Sequence, residues 1–118
     1  MNFRQAWVIA GVLALGASPG SLSTQQPAAK SLFAELCVAC HGQAGAGDGP
    51  VASALTPRPA SFVDPTFQAA RTDQQLVAVI TAGKPPMPAF GQQLSPAQVK
   101  SLVDYILQLG RQAKKKKP

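Results

Sequence analysis

Cys37 and Cys40 are the only cysteines of the chain and His41, its only histidine, follows at once, so the five residues Cys-Val-Ala-Cys-His hold every thiol and every imidazole in the protein. No other feature constrains the fold as much. In a helix carried through this segment, Cys37, Cys40 and His41 stand at i, i+3 and i+4 and share one face. The fold must turn that face towards whatever the three groups hold.

Four readings compete for such a cluster. A structural zinc site needs four ligands drawn mostly from Cys and His, and the chain offers three. A thioredoxin-like dithiol opens the helix of a βαβ unit, whereas here a helical pattern precedes the cysteines. A plain disulfide is compatible with an exported protein. The complete Cys-x-x-Cys-His pattern in this setting favours covalent attachment of one c-type haem, with thioethers at Cys37 and Cys40 pinning the porphyrin edge while His41 reaches the iron. Composition agrees: aromatic residues make up 6% of the chain, and Trp7 falls in a segment expected to be removed, so a haem would supply apolar bulk that side chains do not.

A chain of 118 residues is enough for one domain with a single core. Arg4 followed by an almost unbroken apolar run over residues 6–17, with Pro19 and Gly20 next, reads as a cleaved export signal. The run is too short for a spanning helix, which needs about 20 apolar residues. Residues 1–23 are therefore expected to be a signal peptide, with cleavage near Ala17 or Ser23, and residues 24–28 a polar linker. Residues 29–110 are expected to form the domain, and residues 111–118 a basic, disordered tail. Membrane association is expected only if the amino-terminal segment is retained, and the location is exported, in the periplasm or at the outer face of the cytoplasmic membrane.

Within the domain, Leu32, Phe33 and Leu36 predict a first helix starting near Lys30. Gly42, Gly45, Gly47 and Gly49, then Pro50, Pro57, Pro59 and Pro65, predict that residues 42–70 are mostly loop. Thr72 with Gln75 three residues on predicts a capped helix ending at Gly83. Ser95, Pro96 and Gln98 open the clearest helix, with Val99, Leu102, Val103, Ile106 and Leu109 on its apolar face and Gly110 as its expected stop. No alternating strand pattern occurs. The predicted class is all-α, with about three main helices and long Gly/Pro-rich loops around one haem.

Over residues 29–110 the sequence resembles the class I cytochrome c family. The resemblance rests on residues 37–41, on Gly-Ala-Gly-Asp-Gly-Pro at 45–50, on Thr-Pro-Arg-Pro-Ala at 56–60 and on Gly-Lys-Pro-Pro-Met-Pro-Ala-Phe at 83–90 ahead of the last helix. It implies a helical fold wrapped around haem c, with His41 as proximal and Met87 as distal ligand of the iron. Elimination supports Met87 independently, since His41 is the single histidine and Met1 leaves with the signal; the alternative is that Met87 fills a core gap. The family pattern also suggests the Pro50 carbonyl as acceptor for the His41 ring, although Pro50 is equally read as the end of the glycine loop. Arg58 is either a haem propionate partner or a solvated loop residue. Phe33 and Tyr105 are expected to meet where the first and last helices cross.

The formal charge of +6 belongs largely to Lys114, Lys115, Lys116 and Lys117, and without them and Arg4 the body is close to neutral. No nucleic-acid partner follows from such a distribution. The lysine run is read as a docking arm for an acidic partner or an anionic surface, or as a solubilising tail. Glu35, Asp48, Asp64, Asp73 and Asp104 show no pairing for acid–base work, so the chain is read as an electron carrier and not as an enzyme, free or as a subunit of an oxidoreductase complex. Its partners are then redox proteins, acidic or membrane-bound ones among them. The alternative function is a haem domain that binds or senses a ligand through a labile Met87.

Overall fold

The computed structural model describes Gly11, Gly16 and residues 28–118. Apart from the two glycines, the expected signal peptide lies outside the described residues, and so does the expected linker up to residue 27. The described residues form five α-helices and contain no strand, as the predicted all-α class requires.

Helix α1, Ala29–Leu36, buries Leu32 and Phe33. It does not run unbroken through the cysteines. Cys37 departs to φ −118°, while its N–H still bonds the Phe33 carbonyl, and α2, Val38–His41, resumes at once. The Cys40 and His41 amides both bond the Cys37 carbonyl, at 3.2 and 2.8 Å, so Cys37 to His41 is still one helical turn. The carbonyls at the end of that turn have no partner within it. The glycine loop supplies them: the amides of Gly47, Gly49 and Val51 bond the carbonyls of His41, Cys40 and Ala39 at 2.8, 3.1 and 3.1 Å.

The stretch expected to be mostly loop contains a short 3-10 turn, Ala52–Ala54, and a helix, α3, Pro65–Ala69. Pro65 does not punctuate a loop here but opens α3 at its first position, where its missing N–H costs nothing. Asp64 caps the helix by accepting from the Thr66 amide at 2.9 Å and the Thr66 hydroxyl at 2.8 Å.

Helix α4, Asp73–Ala82, begins with the predicted capping box, the Thr72 hydroxyl accepting from the Gln75 amide and the Gln75 side chain from the Thr72 amide. Helix α5, Pro96–Lys116, begins with the same device at Ser95 and Gln98. Its apolar seam of Val99, Leu102, Val103 and Ile106 is buried against α1, α3 and α4. Phe33, Leu102 and Val103 are the largest fully buried side chains of the core, and each such burial contributes about 1.5–3 kcal/mol before entropy is set against it. The α1–α5 crossing brings the rings of Phe33 and Tyr105 to 5.2 Å between centroids, with Tyr105 half-buried.

Helix α5 does not stop at Gly110, and residues 111–116 are helical where a disordered tail was expected. Gly110 serves close packing instead of termination. A Cβ there would lie 2.7 Å from the Phe62 carbonyl oxygen and would collide with the Gln68 amide group, while Gln68 donates to the Leu107 carbonyl at 3.1 Å. The bare backbone lets α5 lie against residues 62–68, and the helix then continues beyond the core.

Candidate functional site

Helices α2, α4 and α5 and the segments 55–62 and 84–88 surround one cavity of about 430 Å³. Cys37, Cys40 and His41 line it from the α2 turn, and Met87 lines it from the proline-rich loop. The structure therefore brings together all four residues singled out in the sequence. Most of the remaining lining is apolar, including Leu76, Ile80, Phe90, Leu102 and Ile106, and the cations among it, Arg58, Arg71 and Lys84, are exposed.

The Met87 loop is held tightly. Lys84 and Met87 exchange backbone hydrogen bonds at 3.1 and 2.8 Å, with Pro85 and Pro86 between them. Beyond the loop, the Phe90 and Gly91 amides bond the Ile80 and Thr81 carbonyls of α4 at 2.9 and 3.1 Å. Gly83, at φ +76°, makes the turn out of α4, and a Cβ there would stand 2.8 Å from the Ala89 nitrogen. Only glycine suits both that conformation and that clearance.

The imidazole of His41 is fixed from two sides. Its Nδ1 lies 3.0 Å from the Ala60 carbonyl oxygen, and because a carbonyl only accepts, the proton sits on Nδ1 and Nε2 is left as the basic nitrogen. This corrects the expectation for Pro50, which is exposed and does not line the cavity; the acceptor is Ala60. The ring of Phe62 stacks on the imidazole, 4.4 Å between centroids and 22° between planes. Burial pushes the pKa of His41 down, and the hydrogen bond to Ala60 opposes that only in part, which favours the neutral ring, the form that binds metals.

Cys37 and Cys40 are half-buried and form no disulfide with each other. Burial, and secondarily the neighbouring Cys40, pushes the Cys37 thiol up to about 11.

Ala60, Phe62, Phe67 and Arg71 were not singled out for the site from the sequence. Ala60 is found only through its backbone oxygen, and a backbone acceptor leaves no signal in residue type. Phe62 also meets Phe67 at 5.1 Å and Phe33 at 6.2 Å, so one ring joins the core to the imidazole. The guanidinium of Arg71 lies 4.6 Å from the centroid of Phe67.

The donor set fits a haem. Two thiols and an imidazole on one helical turn, a thioether from a second segment and an apolar lining with exposed cations among it match a flat apolar ring that carries iron and two carboxylates. Comparison with known proteins agrees. The family model described as cytochrome C oxidase, cbb3-type, subunit III matches residues 24–106. The chain is a c-type cytochrome of that family. It is 32% identical over 96 residues to the cbb3-type cytochrome c oxidase subunit FixP of Azorhizobium caulinodans. That match covers 80% of this cytochrome and 30% of the relative, so the chain spans less than a third of the relative's length. Among solved structures, the cytochrome is similar to the KustC0563 c-type cytochrome, with a TM-score of 0.61 and 29% identity over 69% of this chain and 95% of that one. Membership implies haem c as cofactor, and electron transfer by a c-type haem protein is the function at the level of the family.

Proposed function

We propose that the chain is an exported single-electron carrier, in the periplasm or at the outer face of the cytoplasmic membrane, in which Cys37 and Cys40 would hold one haem c through thioethers and His41 and Met87 would ligate its iron. The observation that carries this reading is the convergence of those four side chains on one cavity. When bound, the haem supplies the one-electron couple of its iron. The chain does the rest. The Ala60 carbonyl and the Phe62 ring orient the imidazole, with Nε2 as its basic nitrogen. The reciprocal hydrogen bonds of Lys84 and Met87 restrict where the thioether can go. Apolar side chains from α4 and α5, Leu76, Ile80, Leu102 and Ile106 among them, would keep water from the iron. With His41 and Met87 both holding the iron, no position on it would be open for a substrate, and the chemistry supplied would be outer-sphere electron transfer. The likeness to an oxidase subunit supports redox proteins of a membrane-bound oxidoreductase as donor and acceptor.

Acid–acetone extraction and intact mass of the purified protein test the covalent attachment. Haem should stay with the polypeptide and add its mass to the chain. Haem that extracts freely, or a mass equal to the bare chain, overturns the assignment.

A further inference from the structure

The basic end of α5 has no part in the site described above. Arg111, Lys114, Lys115, Lys116 and Lys117 are exposed, and none of them lines the cavity. The cavity receives α5 only through Leu102 and Ile106. At about 1.5 Å per helical residue, Lys114 stands about 12 Å further along the axis than Ile106. Among the described residues the one ion pair is Lys100 with Asp104. Asp64 senses Lys117, but its carboxylate is engaged by the Thr66 amide and hydroxyl. Lys114, Lys115 and Lys116 at the end of α5, with Lys117 directly after, thus form a positive pole with no ion pair of its own, beyond the residues by which α5 lines the cavity.

We infer that this pole binds an anionic lipid surface and holds the cytochrome there with its haem cavity free for redox partners. The composition of the helix end selects a lipid surface over an acidic protein. Lys114, Lys115 and Lys116 are helical and point about 100° apart, and Lys117 follows just past the helix end, so the lysines present charge without a defined face. Residues 111–118 contain no aromatic or large aliphatic side chain, and protein interfaces draw their affinity from such anchors while lysine is depleted in them. A charged bilayer needs neither shape nor anchor, since it reads charge density, at about 1 kcal/mol for each lysine near the surface. The inference departs from the expectation that membrane association needs the amino-terminal segment, and it stands independently of the haem ligands.

Co-sedimentation of the full-length holoprotein with vesicles tests it, comparing phosphatidylcholine alone with phosphatidylcholine containing phosphatidylglycerol. The comparison variant replaces Lys114, Lys115, Lys116 and Lys117 together with Gln, and a second variant replaces all four with Arg. Any contribution of the amino-terminal segment is common to all three proteins. The parent should bind the anionic vesicles more tightly than the Gln variant by roughly 600-fold, about fivefold for each of the four lysines at low salt. The Arg variant should bind like the parent, and the difference should vanish on neutral vesicles and at high salt. An unchanged haem spectrum in all three shows that the site is intact. Equal binding of parent and Gln variant to anionic vesicles overturns the inference, as does a loss of binding that is the same on neutral vesicles. If vesicle binding is equal but the Gln variant alone loses salt-dependent reduction by an acidic redox protein, the pole serves a protein partner and the lipid assignment is wrong.

Discussion

The Ala60 carbonyl, nineteen residues from His41 in the chain, decides which imidazole nitrogen carries the proton, and Met87, on a third segment, completes the set of soft donors around the cavity. The two proposed ligands, His41 and Met87, differ in how much of their placement is local. The backbone of His41 is fixed by the turn that also holds the cysteines, whereas Met87 depends on its own loop. Replacing Met87 with Ala should leave haem attached through Cys37 and Cys40. The midpoint potential should fall, by a part of the about 0.8 V range over which axial ligands set haem potentials, because the thioether favours the ferrous state. Carbon monoxide should bind the reduced variant quickly and the parent hardly at all. Rapid binding by the parent, or an unchanged potential in the variant, would show that Met87 is not a ligand and favour a ligand-sensing domain.

At the scale of elements, Gly110 sets two rules against each other. Ala has the higher helix propensity by about 1 kcal/mol, yet the Cβ would press on the Phe62 carbonyl and the Gln68 amide, and overpacking of this kind costs about 1–3 kcal/mol. The clash is with backbone on one side, so it should prevail. Gly110→Ala is expected to lower Tm in thermal unfolding of the holoprotein, and a raised Tm would mean that α5 shifts to accommodate the methyl. The cap of α3 adds a pH dependence. Hydrogen bonds from the Thr66 amide and hydroxyl hold the Asp64 carboxyl below its ordinary value in the folded chain. Its stabilisation is then fully present above the ordinary carboxylate range and is lost as pH falls through the folded value. The stability gap between the parent and Asp64→Ala in urea titrations should be widest near neutral pH and close at acid pH. A gap independent of pH would exclude the charged cap as its source.

For the whole molecule, one seam of α5 serves both the core and the site. Leu102 is almost fully enclosed and also lines the cavity. Leu102→Ala should therefore cost about 2–5 kcal/mol in denaturant unfolding, as for other large-to-small core changes, and should also let water nearer the site. The measurable companion is a shifted potential with Met87 and His41 both intact. A stability loss with no change in potential would separate the core role from the site role. The charge of the molecule is divided in the same spatial sense: the cavity face carries Arg58, Arg71 and Lys84, and the lysine pole lies beyond the core on α5.

Whatever depends on near neighbours in the chain could be read from residues alone. The i, i+3, i+4 cluster of Cys37, Cys40 and His41 is one turn of helix. The capping boxes of Thr72 with Gln75 and Ser95 with Gln98 are hydrogen bonds across three residues, and the seam of α5 is a period. The assembly of Met87 with the cysteines was legible only through resemblance and by elimination of other donors. What tertiary structure alone decided involves backbone groups far apart in sequence. The acceptor for His41 is Ala60 and not Pro50, because a carbonyl's availability depends on where its loop folds and not on its side chain. The helix continues through Gly110, because the same absent Cβ that permits a helix stop also permits close packing, and only the neighbouring Phe62 carbonyl and Gln68 distinguish the two. Pro65 opens α3 for a similar reason: proline ends one helix or begins another, and Asp64 capping the next turn settles which.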